Sequence, residues 1–260
     1  MNKLASPFNG GSRSIQSGLI TPTNMLLLSI CFFSATFLIG LKMNNTFFSG
    51  DWNSPLMYLG YLGLFLGIMY TGFLKLAYNG LGDLAVFIGF GPLMVYGAAF
   101  MQNQAVAPTQ TIDPITTLFY SIPVGIFIAL VLFINCFQDY NADKAANKNS
   151  WVVKLAGPSE KANYRKPFVV WRNLMLISFL LIGGASVYAG NYFTLIALLP
   201  LLIFNFANKK GMSWLVEWEK EDANLQQLPY ELLIVNVSTI GIHFLTGILL
   251  TIGVLLSIWI

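Results

Sequence analysis

The sequence contains few charged residues for its length. Only 10% of its 260 residues are charged, whereas 56% are hydrophobic, and the mean hydropathy is +0.66. A soluble globular domain carries roughly 25% charged residues. Fourteen basic side chains, eleven acidic side chains and one histidine are too few to cover the water-facing surface of such a chain. We therefore expect much of the surface to face lipid.

Cysteine and histidine are also scarce, which argues against several kinds of site. Cys31 and Cys136 lie far apart in apolar runs, and we interpret both as packing residues rather than as a disulfide or metal ligands. The single histidine, His243, lies inside the last apolar run, and we interpret it as a buried packing residue. The sequence shows no extended basic and aromatic pattern, so we expect no nucleic-acid partner.

Seven long apolar segments dominate the chain instead. A membrane-spanning helix needs about 20 mainly apolar residues, and unpaired backbone groups are prohibitive in hydrocarbon, so such segments must be helical. No acidic or basic residue falls inside seven windows, at 24–41, 55–74, 84–101, 115–137, 173–189, 191–207 and 232–260. We therefore predict an all-α integral membrane protein of about seven transmembrane helices, forming a single domain over residues 1–260.

The basic residues are distributed unevenly over the connecting segments. Thirteen of the fourteen lie in the N-terminal segment and in the loops that follow the second, fourth and sixth windows, and only Lys42 lies on the other side. Basic residues accumulate on the cytoplasmic side of a membrane. We therefore expect the N-terminus and these three loops, called the inner loops below, to face the cytoplasm, most simply at the inner membrane of a bacterium.

The strongest chemical pattern is a pair of acids at the exit of the fourth window. Asp139 and Asp143 are four residues apart, so on a helix that continues past the membrane edge they share one face. Magnesium is commonly held by one or two carboxylates together with substrate phosphates. Asn135, one turn earlier, can add an oxygen ligand, and Lys144 and Lys148 can meet diphosphate oxygens. An ordinary solvated helix end is the alternative interpretation.

A second pair of acids, Glu217 and Glu221, has the same spacing. These acids lie near Trp214 and Trp218, which share one helical face while the acids lie largely on others. The pattern is typical of an amphipathic helix at the membrane interface, with tryptophans at headgroup level. We therefore interpret these two acids as part of a solvated face.

The first inner loop and its flanks bring further polar residues to the same membrane face. Tyr70, Lys75 and Asp83 lie there among glycines that allow a tight backbone. Lys75 is the only basic residue of this loop, and a lysine that snorkels to the interface is the alternative to a binding residue. Arg13 lies in a glycine-containing N-terminal segment and is a weaker candidate, because a flexible tail has the same composition.

The residues around these candidates resemble the UbiA superfamily of intramembrane polyprenyltransferases. The stretch from Ile134 to Gly157 is similar to the second aspartate-rich motif of that family. The stretch from Tyr70 to Ala98 is similar to its menaquinone-pathway branch, the 1,4-dihydroxy-2-naphthoate prenyltransferases. Residues 6–22 are similar to the segment that follows the first aspartate-rich motif, so the resemblance covers nearly the whole chain.

The resemblance implies a function and a set of site residues. It implies Mg²⁺-dependent transfer of a polyprenyl group from its diphosphate to an aromatic acceptor in quinone biosynthesis, with menaquinone the first choice. By the resemblance, Asp139 and Asp143 are catalytic residues that bind Mg²⁺, and Asn135 supports them. Diphosphate contacts are assigned to Arg13, Tyr70, Lys75, Lys144 and Lys148. The implied partners are a polyprenyl diphosphate, an aromatic acceptor and the lipid bilayer.

The sequence also departs from that family. The family has nine helices and a first motif of the type NDxxDxxxD, whereas this chain has seven windows and contains no NDxxD pattern. Gln138 and Asn147 replace an arginine and a glycine that are common in the second motif. One hypothesis is that the natural product begins upstream of Met1, and another is a shortened, catalytically incomplete relative. A non-enzymatic membrane binding protein and a small-molecule transporter are the remaining alternatives.

Overall fold

The regular secondary structure of the described residues is helical. The structure is a computed structural model and describes residues 14–15, 17–106, 113–158, 161–223 and 228–259. These residues form eleven α-helices in chain order, with a π-helical segment (Gly89–Tyr96) between α3 and α4 and a 3₁₀ helix (Tyr192–Leu198) between α8 and α9. They are α1 (Pro22–Phe48), α2 (Pro55–Thr71), α3 (Gly82–Ile88), α4 (Gly97–Val106), α5 (Pro114–Gln138), α6 (Tyr140–Ala145), α7 (Trp151–Ala156), α8 (Arg165–Tyr188), α9 (Leu201–Glu219), α10 (Leu228–Glu231) and α11 (Leu233–Trp259).

The described residues contain six helical units long enough to span a membrane and one shorter apolar helix, which is close to the predicted number of about seven. α2 is the shortest of them, with 17 residues. The other six are long and apolar enough to cross a membrane, and they cover Pro22–Phe48, Gly82–Ala105, Pro114–Gln138, Arg165–Tyr188, Tyr192–Glu219 and Leu228–Ser257. Each unit overlaps one predicted window, and Arg165–Tyr188 and Tyr192–Glu219 extend beyond their windows into charged residues. The chain is therefore an integral membrane protein, as its hydropathy predicts.

Local sequence signals explain where several helices begin. Thr21, Ser54 and Asp113 each precede a proline and accept hydrogen bonds from backbone N–H groups in the first turn of α1, α2 and α5. Such caps satisfy donors that a helix start leaves unpaired, and proline at the first helical position has no N–H to satisfy. Pro92 lies inside the π-helical segment. Because proline has no backbone N–H, it cannot donate the hydrogen bond that an α-helix would form at this position.

The packed interior surrounds α5. Phe127 and Ile134 on α5 and Trp171 on α8 are fully buried, and α5 packs against α3, the π-helical segment, α8 and α11. By contrast, Asn44 is the one buried residue of α1, whose apolar side chains point outward. Cys136 is buried beside the other core residues, which agrees with a packing role, whereas Cys31 is exposed on α1 and does not pack in the core.

A pair of glycines lets α5 and the π-helical segment cross closely. A Cβ atom on Gly91 would lie 2.6 Å from the Cα atom of Gly125, and one on Gly125 would lie 2.7 Å from the Phe87 carbonyl oxygen. Small residues allow backbones to approach in this way within membrane proteins. The crossing fixes the helix that begins near Asp83 against the helix that ends at Gln138. It therefore sets the spacing between the two halves of the site described below.

We expect Gly125→Ala to destabilise the protein by about 1–3 kcal/mol, the usual cost of forcing extra atoms into a packed contact. The matched control is Gly183→Ala in α8, because a Cβ there meets nothing within 4 Å. The control is expected to be neutral or slightly stabilising, since alanine favours helix more than glycine does. Thermal unfolding in detergent measures the stability of both variants. Equal loss of stability in the two would show that the close helix crossing at Gly125 does not require glycine.

Candidate functional site

The predicted acid pair lies where α5 ends and α6 begins. α5 stops at Gln138, yet helical hydrogen bonds continue beyond it. The Asp139 N–H donates to the Asn135 carbonyl at 3.3 Å, and the Asp143 N–H donates to the Asp139 carbonyl at 2.7 Å. Asn135, Asp139 and Asp143 therefore occupy successive turns of a nearly continuous helix. This is the geometry that their spacing predicts, while their binding of a metal stays a prediction.

The buried Asp143 carboxylate forms an ion pair beside this helix with Lys148, whose side chain is 24% exposed. Lys148 Nζ lies 3.1 Å from Oδ2 and donates to Oδ1 at 3.2 Å, and the Asp143 side chain is only 5% exposed. Burial raises the pKa of the Asp143 carboxyl above its ordinary value, and the Lys148 ammonium opposes that shift. Burial tends to lower the pKa of Lys148, but the anionic groups around it, including Asp143 and Asp139, raise it above its ordinary value. Each charge thus stabilises the other away from water.

Asn135 is held in place by an amide network with α11. Its Oδ1 accepts a hydrogen bond from Asn236 Nδ2 at 2.7 Å. Gln138 Nε2 donates to the Pro229 carbonyl at 2.9 Å and lies 3.3 Å from Asn236 Oδ1. Buried amide groups need such partners, because leaving them unpaired is costly. The network ties the acid-bearing end of α5 to the start of α11.

Two inner segments, 72–81 and 147–154, interlock beside Asp143, and we call them the interlocked loops. The Asn149 N–H donates to the Tyr78 carbonyl at 2.8 Å, and Trp151 Nε1 donates to the Gly80 carbonyl at 2.6 Å. Gly80 has φ +77°, and a Cβ there would lie 2.8 Å from the Asn149 carbonyl oxygen. Glycine is required at this position for both reasons.

The interlocked loops bring a third acid, Asp83, to the site. Asp83 is 6% exposed, and its Oδ1 has no hydrogen-bond partner among the described residues. Its carboxylate faces the backbone N–H groups of its own residue and of Trp151, and the Lys148 charge acts on it. We did not select Asp83 as a site residue from the sequence. The sequence did contain a signal for Asp83, because it is an acid next to glycines at the edge of an apolar window.

The other predicted diphosphate residues lie at different distances from this cluster. Tyr70 lies beside the residue that precedes Asp83, since a Cβ on Gly82 would be 3.6 Å from the Tyr70 hydroxyl. Lys75 is exposed and has φ +45°. The described part of the structure gives its ammonium no hydrogen bond.

Lys144 and Arg13 are the two remaining predicted contacts. Lys144 Nζ donates to the Pro158 carbonyl at 2.7 Å and lies 5.6 Å from the centre of the Tyr140 ring. Its ammonium is therefore directed to the segment that follows α7. Arg13 lies outside the described residues.

Two apolar cavities lie on different faces of α3. The larger, about 670 Å³, lies between α2 and the α3 and π-helical segments, with Tyr70 in its wall and Ala85, Gly89 and Phe90 along it. The smaller, about 170 Å³, is lined by a single charged residue and by apolar and aromatic side chains. Its lining residues include Asp83, Phe87, Ala129, Phe133 and Trp151.

The tryptophans near the second acid pair are placed differently from the prediction. Trp214 and Trp218 share a face, as predicted, but they are 5% and 6% exposed and belong to the core rather than to the headgroup region. Their ring N–H groups donate to the Leu228 and Ala162 carbonyls, at 2.7 and 2.8 Å. These bonds allow tryptophan to be buried. The prediction of an interfacial helix is therefore wrong.

The acids of that second pair do lie on an exposed surface, as predicted. Glu217 forms an ion pair with Lys220, and both side chains are about half exposed, at 51% and 50%. Glu221 is exposed as well. Exposed pairs of this kind contribute little to stability.

The chemistry of the acid cluster suits a hard divalent cation. Asp139, Asp143 and Asn135 supply oxygen ligands, which Mg²⁺ prefers. Asp83 Oδ1 is buried without a hydrogen-bond partner in the described structure, and such an atom calls for a donor or a cation, whereas Asp143 Oδ2 already has the Lys148 ammonium 3.1 Å away. Within the described ranges, no three His, Cys, Asp or Glu side chains are grouped to hold a metal by themselves. A cation here needs further oxygens, such as those of a diphosphate.

Comparison with known proteins gives one family and several relatives. The model of the UbiA prenyltransferase family matches residues 9–224. UbiA prenyltransferase domain-containing protein 1 of Dictyostelium discoideum is 30% identical over 158 residues, covering 58% of this chain and 44% of that protein. The 2-carboxy-1,4-naphthoquinone phytyltransferase of Synechocystis sp. is 35% identical over 133 residues, covering 51% and 40%.

A third relative supports the same comparison. The 1,4-dihydroxy-2-naphthoate octaprenyltransferase of Haemophilus influenzae is 32% identical over 156 residues, covering 56% of this chain and 46% of that protein. The aligned part of this chain thus spans less than half of the length of each of the three relatives. No solved structure gives a significant match.

We expect Trp151→Phe to loosen the interlocked loops, because it removes the donor to the Gly80 carbonyl at a cost of about 1–3 kcal/mol. Hydrogen–deuterium exchange should become faster across residues 76–81. Trp52→Phe is the control, since Trp52 is 56% exposed in another loop. Exchange that stays unchanged in Trp151→Phe would show that the hydrogen bond does not hold the two loops together.

Proposed function

The chain belongs to the UbiA prenyltransferase family, and on that premise we propose that it transfers a polyprenyl group from its diphosphate to an aromatic acceptor. Two relatives are named for naphthalene-derived substrates, a 2-carboxy-1,4-naphthoquinone and a 1,4-dihydroxy-2-naphthoate. We therefore propose a naphthoate acceptor and a role in menaquinone biosynthesis. We propose this activity for the protein that includes this chain.

The buried carboxylate of Asp143 is the observation that supports this function best. It follows Asp139 by one helical turn and is paired with Lys148 at the inner end of α5. Ionisable groups with perturbed pKa values, such as the buried Asp143 carboxyl, are found preferentially at functional sites. Tyr70 and Asp83, the polar residues near this ion pair, line two apolar cavities, an arrangement that suits a substrate with an anionic head and a hydrocarbon tail.

We propose that Asp139 and Asp143 hold Mg²⁺, with Asn135 in support. The bound ion would supply charge neutralisation for the leaving diphosphate. Lys148 lies within ion-pair distance of Asp143 and places a second positive charge beside the same position. Lys75, Lys144 and Arg13 complete the proposed diphosphate contacts, and the exposed ammonium of Lys75 can reach solvent-side oxygens.

We propose that the prenyl chain occupies the cavity of about 670 Å³. That volume falls within the range of about 300–1,000 Å³ usual for small-molecule sites. Its walls are apolar, so a hydrocarbon chain gains roughly 25 cal/mol for each Å² that it buries there. Tyr70, in the wall of this cavity, can donate from its hydroxyl to the diphosphate.

The proposed reaction begins with cleavage of the allylic C–O bond, and the bonding electron pair leaves with the diphosphate. A ring carbon of the acceptor then bonds to the allylic carbon, and the substituted ring position loses its leaving group, a proton or carbon dioxide. Apolar walls protect the allylic cation from water. The residues of the chain therefore bind, orient and exclude solvent.

We propose that the site faces the cytoplasm. The support is the concentration of thirteen basic residues in the N-terminal segment and the inner loops. Contacts between these loops place them at one end of the structure. The Asn149 N–H bonds to Tyr78, and Arg165 forms an ion pair with Glu219.

We expect Asp139→Ala and Asp143→Ala each to slow prenyl transfer in membranes by about a hundredfold or more. A charge pair at 4 Å is worth about 4 kcal/mol at an effective dielectric of 20, and each 1.36 kcal/mol is about tenfold in rate. Mg²⁺-dependent retention of radiolabelled geranylgeranyl diphosphate should fall in parallel. The rate of product formation and the retained label are the two measurements.

The control for this experiment is the double variant Glu217→Ala/Glu221→Ala. It removes two acids at the same spacing from an exposed surface, so transfer and retention should stay near the unmodified level. If Asp139→Ala and Asp143→Ala matched this control, the assignment of the metal site would be wrong. If the unmodified chain did not retain the diphosphate, the proposed function would be wrong for this chain.

A further inference from the structure

We infer that Asn236 on α11 is a positioning residue for the proposed metal site, because it fixes the orientation of the Asn135 side-chain amide. Asn236 is fully buried, and its Nδ2 donates a hydrogen bond to Asn135 Oδ1 at 2.7 Å. The inference rests on the proposed function, in which Asn135 supports the Mg²⁺ held by Asp139 and Asp143. It adds a residue of the last helix to the site.

A backbone carbonyl sets the direction of the hydrogen bonds in this amide network. The Pro229 carbonyl can only accept, so Gln138 turns its Nε2 toward it, and the two atoms lie 2.9 Å apart. Gln138 and Asn236 then pair amide to amide. Gln138 Nε2 lies 3.3 Å from Asn236 Oδ1, and Asn236 Nδ2 lies 3.4 Å from Gln138 Oε1. The remaining N–H of Asn236 is left to donate to Asn135, which must therefore present its oxygen to α11.

The carbonyl that sets this direction lies in a segment that is itself held in place. Pro229 belongs to the short helix α10, and the neighbouring Leu228 carbonyl accepts a hydrogen bond from Trp214 Nε1 at 2.7 Å. Trp214 and Leu228 are 5% and 6% exposed, so this anchor lies in the core. The orientation of Asn135 is thus determined by segments far from it in the chain.

A fixed orientation matters at a cation site because the two ends of an amide are chemically opposite. The oxygen of Asn135 has two lone pairs, so it can accept from Asn236 and still bind a hard cation. If the amide turned over, it would present N–H donors, which a cation does not bind. Asn135 is partly exposed, so without Asn236 water can hydrogen-bond to either orientation.

The network also gives a reason for the glutamine at position 138, where the second aspartate-rich motif commonly has an arginine. Glutamine both donates and accepts, whereas arginine has no acceptor atom. Gln138 Nε2 donates to the Pro229 carbonyl, while its Oε1 faces an N–H of Asn236. An arginine would place further N–H groups against that N–H. Gln138 and Asn236 therefore form a matched pair in this chain.

The experiment measures Mn²⁺ binding to the detergent-solubilised chain in the presence of geranylgeranyl diphosphate and without an aromatic acceptor. Mn²⁺ prefers the same oxygen ligands as Mg²⁺, and the electron paramagnetic resonance signal of free Mn²⁺ gives the Kd. Asn236→Leu is similar in size but cannot donate to Asn135. It should weaken Mn²⁺ binding about tenfold, as changes in groups that orient metal ligands usually do. Asn135→Ala should weaken it at least as much.

The double variant Asn135→Ala/Asn236→Leu separates positioning from general support of the fold. Because Asn236 acts through Asn135, the double variant should bind Mn²⁺ no more weakly than Asn135→Ala alone. A residue that only supports the fold would add its loss in both backgrounds. Thr239→Val is the matched control, since Thr239 is equally buried on α11 and accepts a hydrogen bond from Trp171 Nε1. Mn²⁺ binding should be unchanged in this control.

Thermal unfolding checks that each variant is folded. If Asn236→Leu does not fold, Gln138→Leu replaces it, because it removes the partner that sets the direction of the Asn236 amide. Gln138→Leu should weaken Mn²⁺ binding by a smaller factor, and it should cause no further loss in the Asn135→Ala background.

Unchanged Mn²⁺ binding in Asn236→Leu, or a further loss in the double variant, would overturn the inference alone. The same two outcomes decide the matter if Gln138→Leu is used. If the unmodified chain bound no Mn²⁺ together with the diphosphate, the proposed metal site would be wrong as well. The two failures are therefore distinguishable.

Discussion

The ion pair between the buried Asp143 carboxylate and the partly exposed Lys148 ammonium is the interaction on which the inner end of the structure depends. A carboxylate removed from water requires a nearby positive charge, so the chain after α6 must return to place Lys148 beside it. That return positions Asn149 and Trp151, which bond to the preceding inner loop. The same contacts place Asp83 at the cluster. The need for a positive charge beside Asp143 thus positions the two interlocked loops and brings Asp83 close to Asp139 and Asp143.

The lipid environment divides the molecule into two chemical regions. Within hydrocarbon, helices satisfy their own backbone groups and present apolar side chains, which leaves little reactive chemistry there. Charged groups concentrate at the inner end, where α5 leaves the apolar region. The cavities beside α3 extend from that end along apolar walls. This arrangement suits substrates whose reactive carbon joins a charged group to a hydrocarbon.

Close helix packing fixes the positions of these two regions relative to each other. The Gly91–Gly125 crossing holds α3 and the π-helical segment against α5, and the Asn135–Asn236 bond holds α5 against α11. Both contacts involve α5, whose C-terminal end leads into the segment that carries the acid pair. A change in either would move Asp83 relative to Asp143. The geometry of the site therefore depends on packing well inside the apolar region as well as on the loops.

The sequence alone determined the seven apolar helices, the helical spacing of Asn135, Asp139 and Asp143, and the family, because hydropathy and i to i+4 spacing are local properties. The single domain over residues 1–260 stays a prediction. Only the tertiary structure decided that Asp83 joins the cluster, that Lys144 is directed to Pro158, and that Trp214 and Trp218 are buried. These outcomes depend on contacts between segments far apart in the chain. No local pattern encodes which distant carbonyl or carboxylate a side chain will meet.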